Sequence, residues 1–288
     1  MALTKKDTEN LSPPERTSVA LSQLRSQVNA KGAHFFRTSY RRLQTWLRTF
    51  DGLSPDKRQK RAMKYLNKVL RACGKLRDTE LHIKMLKKLE VDNDAKARNT
   101  IEQILKKRRD KRKDAAVDLL QMKAKLEDVW PALEHVKGMS CQNDSAQRSP
   151  QQSNHLQEAL QRYALYVHER PAVTEENLHE YRLACKEFRY HAELAGESAH
   201  SVVTLFKNVQ DAIGEWHDWQ LLLELSRKEL AKRPSKLLTK IEEITAAKLA
   251  EAFRVVEEIE PQLLSAASEP RRKPVRSARS GGQQQKVA

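Results

Sequence analysis

One arrangement of cationic side chains occurs twice in the sequence. The first copy is His34-x-x-Arg37-x-x-x-Arg41-Arg42; the second is His179-x-x-Arg182-x-x-x-Lys186, followed by Arg189-Tyr190. At 100° per residue, His34, Arg37, Arg41 and Arg48 fall within about 60° of one another on a helix, and Phe36, Tyr40, Leu43, Leu47 and Phe50 take a separate face. In the second copy His179, Arg182, Lys186 and Arg189 share a stripe, and Tyr181, Cys185, Phe188 and Ala192 share another. Such a stripe suits a polyanion. Guanidinium groups bind phosphate oxygens bidentately, ammonium groups act as point charges, and imidazoles add donors that charge readily beside phosphate. Two copies on matching helices point to an internal duplication.

A second pair of segments follows the same spacing. Gly74-Lys75-Leu76-Arg77-Asp78 begins 40 residues after His34, and Gly214-Glu215-Trp216-His217-Asp218 begins 35 after His179. The glycine of each reads as the end of one helix, and the aspartate as a first-turn residue of the next. Plain helix-turn-helix punctuation explains this equally well, and the carboxylates are also placed to orient Arg or His from a neighbouring helix. Between the two motifs of the first half, Lys57, Lys60, Arg61, Lys64, Lys68, Arg71 and Lys75 share a helix face, with Met63, Leu66, Val69 and Leu70 opposite.

The charge distribution singles out the same region. Of a net charge of +16, the stretch from Arg16 to Arg77 holds sixteen Lys or Arg against two acids, Asp51 and Asp56. Solvated helices usually mix signs, because opposite charges at i,i+4 stabilise them and like charges repel. Helices of one sign carry an electrostatic cost that an anionic partner relieves.

The elements that must carry these motifs are helices. With 8 Gly and 10 Pro in 288 residues, the chain has too few turn formers for a β-rich fold. The pattern predicts a tail over 1–18, an amphipathic helix to Phe50 closed by Asp51-Gly52, and a helix opened by Ser54-Pro55 and ended at Gly74. Helices follow over 76–89 and 94–129, the latter stopped by Trp130-Pro131. Residues 137–153 read as a linker; beyond them come helices near 154–168, 174–195, 198–213, 215–232 and 235–264. Residues 266–288 form a basic tail rich in Pro, Ser, Gly and Gln. The expected class is all-α, as two four-helix bundles over 19–136 and 154–265.

Other chemistries find little purchase. No apolar run approaches the roughly 20 residues of a membrane span, so no membrane association is expected. The N-terminus lacks a signal-peptide apolar stretch, and Cys73, Cys141 and Cys185 form no CxxC pair. The expected address is therefore cytoplasmic, with free thiols. HExxH, GxSxG and P-loop patterns are absent. Glu176-x-x-His179 and Glu197-x-x-His200 copy the ExxH element of di-iron bundles, but His179 already sits in a basic stripe, a poor place for a metal cation. His135, His155 and His168 pair with nothing recognisable and read as surface or boundary histidines. No metal, cofactor or catalytic set is expected.

The two histidine stripes and the two Gly-x-x-[Arg/His]-Asp segments, in this order, resemble the CHAD family, the conserved histidine α-helical domain, over roughly residues 20–265. The family often has a basic residue where Gln44 stands and Leu where Cys73 and Ile213 stand. The resemblance implies a pseudo-twofold pair of four-helix bundles around a basic central groove that binds inorganic polyphosphate. It also implies a stand-alone member, since the ExExK motif of the triphosphate-tunnel hydrolase fused to some relatives is absent. The residues expected to bind are His34, Arg37, Arg41, Arg42, Arg48, Lys64, Lys68, Lys75, Arg77, His179, Arg182, Lys186, Arg189, Tyr190 and His217. Polyphosphate bodies are a conceivable address, or a nucleus or nucleolus in a eukaryote. Two other partners remain open: nucleic acid held through the same charges, and an acidic protein docked on the basic face. The run Lys106-Lys107-Arg108-Arg109-Asp110-Lys111-Arg112-Lys113 reads as a solvated helix face before a nuclear signal. Oligomeric state is undetermined by the sequence.

Overall fold

Apolar residues recurring every three or four positions, with few helix breakers, fold this chain as helices. The computed structural model describes residues 11–49, 55–89, 94–144, 150–231 and 234–268, without the side chains of 138–154. Among the described residues there are nine α-helices and no strand: α1 (Pro13–Ser26), α2 (Ala30–Leu47), α3 (Lys57–Lys88), α4 (Ala95–Leu120), α5 (Lys123–Asp144), α6 (Pro150–Glu169), α7 (Leu178–Ala192), α8 (His200–Leu230) and α9 (Lys236–Ser268). A 3₁₀ segment, Glu193–Ala199, joins α7 to α8, with Gly196 at φ 70° where the chain turns. The all-α expectation holds.

Several boundaries differ from the sequence reading. Helix α1 begins at Pro13, within the stretch read as a tail, because Ser12 and Glu15 form a capping box around it. Asn29 then starts α2 by accepting from the Gly32 amide at 2.8 Å, so one expected helix is two. Asp56, not Ser54, caps α3: its side chain accepts from the Gln59 amide at 2.7 Å and Gln59 returns a bond to its backbone. Ser54, Phe50 and the Asp51-Gly52 stop lie outside the described residues. Helix α4 ends at Leu120, before Trp130-Pro131, and α5 carries Pro131 in its interior. The helical path of α5 continues to Asp144 and α6 starts at Pro150, both inside the segment read as a linker.

Neither Gly74 nor Gly214 ends a helix. Each lies inside one long helix, α3 of 32 residues and α8 of 31. Each long helix serves two cores. Near its N-terminus α3 packs Ala62, Leu66, Val69 and Cys73 into a first-half core with α1, α2 and α5. The corresponding part of α8 packs Val202, Phe206, Val209 and Ile213 into a second-half core with α6, α7 and α9. Further along, Ile83 and Leu86 of α3 meet Leu222, Leu223 and Leu225 of α8 in a third core, closed by α4 and the start of α9. Cys73 and Cys185 are free and buried, and burial pushes both thiols up to about 12. The polar segments 74–82 and 214–218 occupy the junction between these cores.

Candidate functional site

The stripes predicted on α2 and α7 form as helix faces. Phe36, Tyr40 and Leu43 are buried, as are Tyr181 and Cys185, which leaves the cationic side of each helix free to meet the other. Helix α2 packs on α7, and α3 on α8. His179 lies 145 residues after His34, so Arg42 corresponds to Glu187 and Arg48 to Glu193. The pairing across the interface is reciprocal: Arg42 Nε donates to Glu193 at 2.6 Å, and Arg48 pairs with Glu187. Reciprocity of this kind is what a two-fold relation between two helices produces. Arg189 reaches the same Glu193 at 3.3 Å, and Tyr190 lies under the Arg42 and Arg189 guanidinium groups at 6.0 and 4.6 Å. Arg42 and Arg48 thus join the halves through Glu193 and Glu187, and Arg189 shares Glu193 from within the second half. Sequence reasoning had no route to Glu187 or Glu193, whose partners are distant in the chain.

Inside this rim the groups are almost all positive. Lys186 is half-buried, and Arg41, Arg182, Arg37 and Arg189 stand among its electrostatic neighbours; desolvation, reinforced by those cations, pushes its amine down to about 6. Arg41 and Arg182 are lowered chiefly by burial. His34 opens to solvent at the edge, held below its usual value by partial desolvation and then by Arg77, Arg37, Lys186 and Arg42. The buried Nε atoms of Arg41 and Arg189 and the Nδ1 of His179 have no hydrogen-bond partner among the described residues.

The glycine segments explain how the arginines are seated. A Cβ on Gly74 would lie 3.3 Å from Arg37 Nη1, and one on Gly214 would lie 3.0 Å from Arg182 Nη2. Each arginine crosses the neighbouring long helix over its glycine, toward the aspartate one turn further on. Arg37 reaches Asp78 at 3.4 Å. Arg182 lies beside Asp218 and donates to the Gln210 carbonyl at 3.3 Å. The glycines are therefore not helix ends, while Asp78 does orient an arginine. Asp218 is pushed up to about 6 by burial, against the pull of Arg182. His217 lies against His179 with ring centroids 4.2 Å apart and planes tilted by 37°; burial and then His179 and Arg182 push it down to about 4.

Two further residues join the cluster unforeseen. His82, one turn past Asp78, is buried beside it and Asp218; its i+4 spacing was the available signal. Arg112 of α4 donates to the Lys75 carbonyl at 2.8 Å and to Thr79, so one member of the 106–113 run is structural. Arg108 pairs with Glu229 at 3.6 Å. Lys64, Lys68 and Lys75 lie on an exposed face of α3, as the periodicity predicted.

The family model of the CHAD domain matches residues 18–227. Comparison with curated proteins finds no match. Among solved structures, the crystal structure of the CHAD domain from the plant Ricinus communis is similar in fold, with a TM-score of 0.56 at 16% identity over 88% of this chain and 89% of that one. Among the described residues, no helix is long and apolar enough to cross a membrane.

Proposed function

The chain belongs to the CHAD domain family, and from that premise we propose that it binds inorganic polyphosphate, without hydrolysing it, at the cluster where α2, α3, α7 and α8 meet. The observation that carries this reading is Lys186, a half-buried amine with four guanidinium groups among its electrostatic neighbours. Gathering buried cations costs free energy in the free protein, and a polyanion seated there repays it by charge pairing and by satisfying the unpartnered donors. His34, Arg37, Arg41, Arg77, His179, Arg182, Lys186 and His217 form the binding centre; Arg42, Arg48, Arg189 and Tyr190 brace it; Lys64, Lys68 and Lys75 extend the charge outward.

Polyphosphate fits better than nucleic acid because single-strand readers need exposed aromatic platforms. Tyr190 is buried, and the large apolar side chains exposed among the described residues are Met122, Leu165 and Leu183. Hydrolysis would require a carboxylate set placed to hold magnesium. Of the two carboxylates in the centre, Asp78 pairs with Arg37 and Asp218 faces Arg182.

The test is competition between long-chain polyphosphate and RNA for the purified protein at about 150 mM salt, where weak phosphate contacts are screened. Polyphosphate should displace RNA and orthophosphate, and no phosphate should be released with time. RNA binding that polyphosphate fails to displace would assign the site to nucleic acid.

A further inference from the structure

The two Glu-x-x-His pairs of the sequence do not assemble into a metal site. Among the described residues, the side chains that gather within ligand range are His155, Glu158 and His191, whose donor atoms all lie within 4.8 Å of one another. His155 was read from sequence as a boundary histidine, and its partner lies 36 residues away on another helix.

Local structure explains the meeting. His155 and Glu158 stand at i,i+3 on α6 and so share a face. The next residues, Ala159 and Leu160, are buried in the second-half core and hold that face against α7. His191 is in the last turn of α7, and Ala192 beside it is buried in the same core. The histidine rings meet edge to face with centroids 5.6 Å apart.

The donor atoms converge. Glu158 Oε2 lies 3.3 Å from His191 Nε2 and 4.0 Å from His155 Nδ1. Both nitrogens are buried, yet neither has an aligned hydrogen bond, although the carboxylate oxygen is close to each. The His191 side chain is 8% exposed. The second oxygen of Glu158 is taken: Arg162 donates to Oε1 at 2.8 Å, which aims Oε2 at the histidines. A carboxylate held from behind by an outer partner is how metal sites orient their ligands.

We propose that His155, Glu158 and His191 bind a divalent transition metal, with Zn²⁺ the best fit, and that the ion fastens α6 to α7. Two imidazoles and one carboxylate form an N/O set suited to zinc and its neighbours, not to Mg²⁺ or Ca²⁺, which take oxygen cages, nor to metals that need thiolates. Bond lengths of about 2.0–2.2 Å in a tetrahedron place ligand atoms about 3.3 Å apart. The His191–Glu158 separation is already there, and His155 closes its gap by a small rotation at the partly exposed edge. Three protein ligands leave a fourth position for water.

The experiment uses the untagged full chain, stripped with chelator and titrated with Zn²⁺, Mg²⁺ and Co²⁺. One equivalent of Zn²⁺ should bind at micromolar Kd or tighter and raise Tm. Co²⁺ should give the visible absorption of a low-coordinate N/O site. His155→Gln and Glu158→Gln, both at partly exposed positions, should each weaken Zn²⁺ binding at least tenfold, abolish the Tm gain and leave polyphosphate affinity unchanged. Failure of stoichiometric Zn²⁺ binding, equal affinity for Mg²⁺, or Zn²⁺ binding that survives both substitutions overturns the site. Circular dichroism of each variant, matching that of the parent, separates ligand loss from misfolding.

Discussion

The two copies of the arginine-over-glycine crossing are built alike and charged differently. In the first, Arg37 meets an Asp78 whose side chain is 40% exposed, and the residue before the aspartate is Arg77. In the second, Gly214 is buried where Gly74 is half-buried, Asp218 is pushed up to about 6, and His217 stands where Arg77 does. Position 41 of the first copy is Arg; its counterpart is Lys186, with its amine pushed down to about 6. The first half thus holds permanent cations, and the second holds half-buried groups whose charge depends on pH. The same helical motif carries fixed charge in one half and adjustable charge in the other.

Charge reversal should separate them most strongly. Losing a hydrogen bond to a charged group costs roughly 1.5–3 kcal/mol, so Arg37→Glu should weaken polyphosphate binding by about tenfold or more. Arg182→Glu should weaken it further and lower Tm, because it sets a carboxylate against Asp218 in a buried place. Titration at fixed salt with melting curves measures both. Equal losses with unchanged melting would mean that the two crossings are energetically alike, contrary to the burial difference.

The pH dependence comes next in size. Above about pH 6 Lys186 is neutral and Asp218 is charged in the free protein. A bound polyanion favours protonation of both, so binding takes up protons and weakens as pH rises from 6 to 8, by up to about tenfold per unit for each proton taken up. Calorimetry in buffers of different ionisation enthalpy counts those protons. Lys186→Arg should flatten much of the profile; an unchanged slope in that variant would remove Lys186 from the binding centre.

Adding a methyl group to each glycine sharpens the comparison at smaller cost. Gly74 and Gly214 lie in helical backbone, and the positive-φ glycine among the described residues is Gly196. Alanine is favoured over glycine in a helix by up to about 1 kcal/mol. Gly74→Ala should therefore raise Tm by about 2–4 °C with little change in affinity. Gly214→Ala, whose Cβ would lie 3.0 Å from Arg182 Nη2 and 3.1 Å from its Nε, should instead lose several-fold in affinity. Identical behaviour of the two variants would show that Arg182 has room to move.

The last expected effect is on stability. Lys186 falls from 10.5 unfolded to about 6 folded, so between those values the unfolded chain binds the extra proton. Stability from this group is complete above 10.5 and is lost as pH falls toward 6. Asp218, raised from 3.8 to about 6, acts oppositely but below that window. Lys186→Met should raise Tm at pH 6.5 more than at pH 9 while weakening polyphosphate binding. A variant that is less stable at both pH values would contradict the idea that the amine is a buried liability.

How much of this the sequence revealed depends on the range of the interaction involved. The stripes on α2 and α7 were legible, since helical periodicity alone sorts Arg37, Arg41, Arg182 and Lys186 from Phe36, Tyr40, Tyr181 and Cys185. The exposed lysine face of α3 was legible for the same reason. The glycines were misread because a helix end and a close crossing use the same residue, and only the packed partner distinguishes them. The break at Gln121-Met122 has no strong local signal, whereas Pro131 advertises a stop that α5 passes through. Glu187, Glu193 and the His155–His191 meeting were invisible, because each pairs residues on separate helices.

The third core fixes something that the charges alone do not. Ile83 and Leu86 of α3 are packed against Leu222, Leu223 and Leu225 of α8 one to two turns beyond the cationic cluster, so the two halves are welded directly beside it. Segments joined by a polar linker swing relative to one another, while a shared hydrophobic core resists such motion. The seam therefore has a set gauge. Cutting the chain between the halves would leave each piece with an open side of its core.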